Sequence, residues 1–131
     1  MANDTALGNW LTTQWAHTPR AFQVEVEGAR IACLGWNMDS VFLPGLVLVH
    51  GFRAHARWWD HIAPSFTDRY RVVALNLSGM GDSDRREPYS RAQNGREILA
   101  VAAACGFAPF TLVTHSFGTM GGILATKLAP E

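Results

Sequence analysis

Charge is scarce in this sequence, and the charge that is present is balanced. Only 17% of the 131 residues are charged, and the 11 Lys and Arg match the 11 Asp and Glu, so the formal net charge is zero. Nucleic-acid binding generally needs a basic face, and anionic lipid attracts clustered Lys and Arg. Because neither pattern is present, we expect no nucleic-acid partner and no membrane partner.

Long hydrophobic runs and cysteines are also scarce. No stretch approaches the roughly 18 consecutive apolar residues of a transmembrane helix, and residues 1–20 lack the charged start and apolar centre of a signal peptide. Cys33 and Cys105 both lie in apolar segments, where buried reduced thiols are a simpler interpretation than a disulfide or a reactive thiol. These absences lead us to expect a cytoplasmic protein.

What the sequence does contain is the composition of one globular domain. Apolar residues make up 48% of the chain, and the length suits one domain but not two. We expect residues 22–131 to form the core of this domain and residues 1–21 to be an N-terminal extension. No spacing of metal ligands and no phosphate-binding glycine pattern is present, so we expect no metal and no cofactor.

Hydrophobic periodicity predicts a hairpin followed by alternating strands and helices. Period-two alternation in residues 23–27, a turn at Gly28 and a second segment at 30–34 predict a β-hairpin. Three continuous apolar runs predict strands buried on both faces, as in parallel sheets. Those strands are residues 46–49, 70–75 and 110–113, and the helices predicted after them are residues 57–66, 91–105 and 120–128. For the second helix, Ser90 with Gln93 predicts a capping box and Gly106 a C-terminal cap.

This order of elements predicts an α/β fold. A mostly parallel sheet would carry an antiparallel hairpin at its N-terminal side and helices on both faces. The strand at residues 110–113 has no charge or proline, and as an edge it would invite self-association.

Residues 113–119, Val-Thr-His-Ser-Phe-Gly-Thr, carry the strongest functional signal. They approximate the G-x-S-x-G nucleophile elbow, and they lie between a predicted strand and a predicted helix. The sharp turn would expose the Ser116 hydroxyl and needs small neighbours, of which Gly118 is one, although Thr114 stands where the pattern has its first Gly. The helix N-terminus would stabilise an oxyanion there. The alternative is that Ser116 is an ordinary helix N-cap.

Two further motifs follow predicted strands, and together the three resemble the α/β-hydrolase superfamily in its serine-nucleophile branch. Residues 49–53 read Val-His-Gly-Phe-Arg, and residues 76–84 read Asn-Leu-Ser-Gly-Met-Gly-Asp-Ser-Asp. The second segment is similar to the family's D-x-P-G-x-G-x-S loop, with departures at Asn76 and Ser78. The resemblance covers residue 23 to the C-terminus, which is about the N-terminal half of such a domain.

The resemblance implies a role for each of these residues. Ser116 would be the nucleophile, and the backbone N–H groups of Phe52 and Phe117 would form the oxyanion hole. In the family's sheet, the hairpin lies at one side, and next to it come the second, the first and then the third parallel strand. We expect the same order here. The residues expected to support the loops of the site are His50, Gly51, Gly79, Gly81 and Gly118. We expect His50 and His115 to have structural roles, and His55 is a weak candidate for a general base.

The triad acid and histidine of this family follow the serine along the chain. Only 15 residues follow Ser116; none is His or Asp, and Glu131 is badly placed at the end. We therefore expect an incomplete α/β-hydrolase domain, either a fragment of a longer product or a degenerate relative. The favoured function is a serine hydrolase acting on an ester-like or other small carbonyl substrate. The alternative is a non-catalytic module that binds a ligand or a partner.

Overall fold

The computed structural model describes residues 4–131, and its sheet begins with a longer hairpin than the sequence predicts. Strands β1 (Arg20–Val26) and β2 (Ala29–Trp36) pair antiparallel. The turn residues Glu27 and Gly28 both have positive φ angles, 48° and 83°. This is the backbone of a type I′ turn, whose twist matches that of paired strands.

The sheet has five strands in the order β1-β2-β4-β3-β5, which is the order that the family resemblance implies. Strands β3 (Gly45–Val49), β4 (Arg71–Leu75) and β5 (Phe110–Thr114) form its parallel part, and β2 pairs antiparallel with β4. The sheet is therefore mixed, with two parallel and two antiparallel pairings. The α/β class of the fold is confirmed.

Two helices cover one face of the sheet. Helix α2 (Arg91–Ala104) begins at Ser90, whose hydroxyl accepts a hydrogen bond from the Gln93 N–H at 3.0 Å, and it ends before Gly106, which has a φ of 70°. Helix α3 (Gly118–Leu128) packs against α2. A side chain at Gly95 would lie 3.1 Å from the Ala125 nitrogen, so this glycine allows the close approach of the two helices.

The single helix predicted over residues 57–66 is wrong. The segment forms two short 3₁₀ helices, Ala56–Trp59 and Ala63–Phe66, on the other face of the sheet. Pro64 lies in the first turn of the second one. Proline has no N–H to donate and disfavours helical backbone in the preceding residue, so one continuous α-helix cannot pass through this point.

A further helix, α1 (Asp4–Trp15), occupies most of the predicted N-terminal extension. Its buried Gln14 accepts a hydrogen bond from the Ser65 hydroxyl at 3.0 Å, which joins α1 to the second 3₁₀ helix. Residues 1–3 of the predicted extension lie outside the described part of the chain. No helix within residues 4–131 is long and apolar enough to cross a bilayer.

The hydrophobic core lies on both faces of β3 and β4. Val47, Val49, Val73 and Leu75 pack towards α2 and α3, and the alternating residues of the same strands pack towards the 3₁₀ helices. All five residues of β3 are buried. This explains why the continuous apolar runs predicted these strands correctly, since strands buried on both faces do not alternate.

Strand β5 is an edge of this sheet and is only partly covered. Val113 is 40% exposed, and Ile123 of α3 is 57% exposed. Between the strand and the helix runs a groove of about 440 Å³, lined among others by Leu112, Thr114 and Gly122. The apolar edge predicted from the sequence is thus present, while self-association through it stays a prediction.

Candidate active site

The three motifs lie at the carboxyl ends of the three parallel strands. Because these strands are adjacent and parallel, the loops that follow His50, Leu75 and Thr114 emerge at the same edge of the sheet. Ligands of open α/β sheets bind at such an edge. The structure therefore brings together the segments that the sequence singled out.

Ser116 lies at a sharp turn from strand to helix, as the predicted elbow requires. Its φ angle is 50°, in the left-handed region that residues with a side chain rarely adopt. The N–H of His115 still pairs with the Val49 carbonyl at 2.9 Å, and the N–H of Thr119 already bonds the Ser116 carbonyl at 2.9 Å. The chain thus changes from strand to helix across one strained residue, an arrangement that is typical of functional sites.

Two glycines leave room for this turn. A side chain at Gly118 would clash with the His50 carbonyl and lie 2.8 Å from a methyl group of Val49. A side chain at Gly51 would lie 2.8 Å from Nδ1 of His115 and 3.4 Å from Cβ of Ser116. The requirement for small neighbours, which the sequence analysis placed on Gly118, therefore extends to Gly51.

Thr114 fills the position at which the family pattern has a glycine, and helix α3 makes room for it. A side chain at Gly122 would lie 2.7 Å from Cγ2 of Thr114. The Thr114 hydroxyl also hydrogen-bonds the Thr119 hydroxyl at 3.1 Å. In this chain the small residue that Thr114 requires lies on the helix, at Gly122, which sequence reasoning did not identify.

Phe52 and Phe117, the predicted oxyanion-hole residues, are neighbours. Their rings are 5.5 Å apart between centroids, so both residues lie on the same side of the sheet edge. Within residues 4–131, neither backbone N–H donates a hydrogen bond to another backbone group. Phe52 lies in a tight turn, in which the Ala54 N–H donates to the Gly51 carbonyl at 3.2 Å. Arg53 has a φ angle of 55° in this turn.

His50 is fully buried, and both of its ring nitrogens are occupied. Nε2 accepts the Leu77 N–H at 3.1 Å, so the proton resides on Nδ1, which donates to the Gly51 carbonyl at 2.7 Å. Burial holds the pKa of this imidazole below its ordinary value. The neutral ring ties the end of β3 to the end of β4, and it has no free nitrogen with which to take a proton.

The other histidines at this edge are also described. The ring of His115 stacks on Trp58, with centroids 5.6 Å apart and planes 22° apart. His55 precedes the first 3₁₀ helix, and its Cβ lies close to Gly81. None of the residues that the structure describes hydrogen-bonds the Ser116 hydroxyl. The predicted nucleophile therefore has no hydrogen-bonded base within residues 4–131.

The glycine loop after β4 is held in shape by Asn76. The amide oxygen of Asn76 accepts the Ala56 N–H at 2.7 Å, and its amide nitrogen donates to the Ala32 carbonyl at 3.0 Å. The aspartate of the family pattern, when ionised, could make only the first of these bonds. Gly79 and Gly81 have φ angles of 79° and 52°, which explains why both positions are glycine.

Sequence reasoning missed a buried ion pair behind this loop. Glu97 of α2 is fully buried, accepts the Ser78 N–H at 3.0 Å and pairs with the Arg86 guanidinium at 2.8 Å. Proline, which the family pattern has at position 78, would supply no such N–H. The only sequence signal was a lone acidic residue beside the apolar run that begins at Ile98.

A bound metal has no evident ligands here. Within residues 4–131, no three His, Cys, Asp or Glu side chains are grouped as a metal ion would require. Cys33 and Cys105 are free thiols. Burial raises the pKa of both, so their reactivity as thiolates is low.

Comparison with known proteins gives the family. Residues 46–130 match the model of the alpha/beta hydrolase family, and this is well over half of the chain. The chain therefore belongs to the α/β-hydrolase family. Its relatives are hydrolases of several kinds, which include esterases and epoxide hydrolases.

Among the similar proteins are two curated enzymes and one solved structure. The chain is 33% identical to epoxide hydrolase 4 of Mus musculus over 67% of the chain and 25% of that protein. It is 29% identical to a pimeloyl-[acyl-carrier protein] methyl ester esterase of Edwardsiella ictaluri over 76% of the chain and 36% of that protein. A thioesterase domain from the curacin biosynthetic pathway superposes with a TM-score of 0.77 at 28% identity, over 86% of the chain and 41% of that domain. The chain thus spans about a quarter to a third of the curated relatives' length.

Proposed function

We propose that the protein of which this chain is part is a serine hydrolase that acts on an ester-like or other small carbonyl substrate. The observation that carries the proposal is the positive φ angle of Ser116 at the junction of β5 and α3. In this role the Ser116 hydroxyl attacks the carbonyl carbon. The N–H groups of Phe52 and Phe117 donate to the oxygen that becomes negative, which typically supplies several kcal/mol of transition-state stabilisation.

The residue at the elbow separates this proposal from other reactions of the family. The dehalogenase and epoxide-hydrolase branches of the family use aspartate at this position, whereas this chain has Ser116. A similarity to epoxide hydrolase 4 at 33% identity therefore supports the shared fold more than a shared reaction. The esterase among the relatives is the better guide to the bond that is cleaved.

A serine hydroxyl needs a base, and the proposal assigns that base to a histidine outside this sequence. His50 is engaged at both nitrogens, and His115 is stacked on Trp58. In a serine protease, loss of the histidine lowers turnover about a millionfold. We therefore expect the 131-residue chain alone to hydrolyse p-nitrophenyl acetate barely above background and to react slowly with a fluorophosphonate.

The test compares this chain with the same chain joined to the C-terminal half of a relative that carries the acid and histidine. Joining is expected to raise both hydrolysis and fluorophosphonate labelling, and Ser116→Ala is expected to abolish both. Thr111→Ala, which removes a hydroxyl from the neighbouring strand β5, is the matched control and should leave labelling intact. Labelling that persists in Ser116→Ala would refute the assignment of the nucleophile, and fast labelling of the chain alone would point to His55 as a local base.

A non-catalytic binding module is the second candidate. Its supporting observation is that Ser116 has no hydrogen-bonded base within residues 4–131. A joined chain that folds and binds a substrate analogue, yet neither hydrolyses nor labels, would favour this candidate. In either case, a cytoplasmic location, a small-molecule ligand and the absence of a cofactor remain part of the proposal.

A further inference from the structure

A cavity of about 810 Å³ lies beside the hairpin, and its lining includes neither Ser116 nor Phe52. Its floor is one face of β1 and β2, where Ala21 stands opposite Leu34 and Gln23 opposite Ala32. Two of these four floor residues are alanines, whose small side chains take up little of the space. The volume falls within the range of roughly 300–1,000 Å³ that is typical of small-molecule sites.

The walls of this hairpin cavity are fixed by hydrogen bonds. One wall is the segment His55–Arg57 and another is the loop that contains Asn76, Gly81 and Asp82. The buried Asn76 amide joins these walls to the floor through its bonds to the Ala56 N–H and the Ala32 carbonyl. The cavity is therefore formed before any ligand binds, which reduces the entropy cost of binding.

The charged groups of the cavity lie on its walls, with Arg57 on one wall and the Asp82 carboxylate on the other, so that an anion would be held at the Arg57 wall. Ala21 and Ala32 offer apolar surface to a flat molecule, and Leu34 lies buried beneath them. At the rim, the guanidinium of Arg57 uses one nitrogen to bond Asp60 at 3.1 Å, and its side chain is 60% exposed. An arginine has five N–H donors, so several remain for a carboxylate or phosphate. His55 adds a further nitrogen at the same wall.

We propose that the hairpin cavity binds a small aromatic molecule with one anionic group, the ring lying on the hairpin and the anion facing Arg57. Neither Ser116 nor Phe52 lines the cavity, so binding there can be measured independently of the proposed function, although Gly81 of the glycine loop borders both sites. The wall His55–Arg57 follows Phe52 in the chain by a few residues, which links the cavity to the oxyanion-hole segment. A ligand in the cavity would hold this segment against the hairpin.

The test measures binding of benzoate, phenyl phosphate and benzyl alcohol to the 131-residue chain by saturation-transfer NMR, with folding checked by circular dichroism. We expect saturable binding of one or both anions with a Kd on the order of 1 mM, as is usual for molecules of this size. A preference for benzoate or for phenyl phosphate would identify the anion as carboxylate or phosphate. Benzyl alcohol, which lacks the charge, should bind more weakly.

Three variants separate the hairpin cavity from other surfaces. Ala21→Trp fills the hollow and should abolish binding, and Arg57→Gln should weaken both anions about fivefold or more without affecting benzyl alcohol. Arg69→Gln, whose side chain is 81% exposed and lies outside the cavity, and Ser116→Ala should bind as the unchanged chain does. Absence of saturable binding of both anions, or equal losses in Arg57→Gln and Arg69→Gln, would overturn the proposal.

Discussion

Thr114 and Gly122 should behave as a coupled pair, and a double-mutant cycle measures the coupling. In Gly122→Ala the new methyl lies 2.7 Å from Cγ2 of Thr114, well inside the carbon–carbon contact distance of about 3.5–4.0 Å. Such overpacking costs about 1–3 kcal/mol, whereas alanine stabilises a helix interior by about 1 kcal/mol relative to glycine. The substitution should therefore lower the free energy of unfolding by up to about 2 kcal/mol.

The same substitution should stabilise the chain once the opposing methyl is gone. Thr114→Ser removes Cγ2 and keeps the hydroxyl that bonds Thr119, so Gly122→Ala in this background should add about 1 kcal/mol. The coupling energy, measured by urea unfolding followed by circular dichroism, should be about 1–3 kcal/mol. Gly8→Ala is the control, because nothing lies within 4 Å of its new methyl. A coupling no larger than that of the control would refute the reasoning.

Three further outcomes follow from other parts of the molecule. Glu97→Ala leaves the Arg86 charge buried without its carboxylate partner and should cost about 3–5 kcal/mol of unfolding free energy in the same urea assay, and a loss below about 1 kcal/mol would contradict the role of the pair. Because the pKa of His50 is lowered in the folded chain, the unfolded chain takes up a proton at a higher pH than the folded chain does. The free energy of unfolding should therefore be highest above the ordinary pKa of 6.5 and should decrease as the pH falls below it. In His50→Asn this decrease with pH should be smaller. Val113→Lys places a charge on the exposed edge of β5 and should reduce self-association of the 131-residue chain in sedimentation experiments. If the unchanged chain is already a monomer, the edge of β5 does not cause self-association.

Most strands of the sheet could be predicted, because a strand that is buried on both faces is recognised from a short continuous run of apolar residues. The runs at residues 46–49 and 70–75 predicted buried strands to within one residue at either end. The helix over residues 57–66 failed because apolar spacing at Trp58, Ile62 and Phe66 also fits two separate turns, and Pro64 decides between the two structures. A single proline outweighs a periodic pattern when it removes a hydrogen bond from the middle of a helix.

The parts of the candidate site that sequence reasoning missed depend on contacts between distant segments. Gly122 is explained only by the methyl group of Thr114, and Glu97 only by Ser78 and Arg86. The motif around Ser116 is visible because its strand, turn and helix are consecutive.

The bonds that Arg86 makes to the hairpin turn have a consequence for the order of folding. Arg86 donates to the carbonyls of Val26 and Glu27, about 60 residues earlier in the chain. A hairpin by itself forms in about 1–10 μs, but these bonds must wait until a loop of this length has closed, which is entropically costly. The contact between Arg86 and the turn at Glu27 and Gly28 should therefore form later in folding than the pairing of β1 with β2.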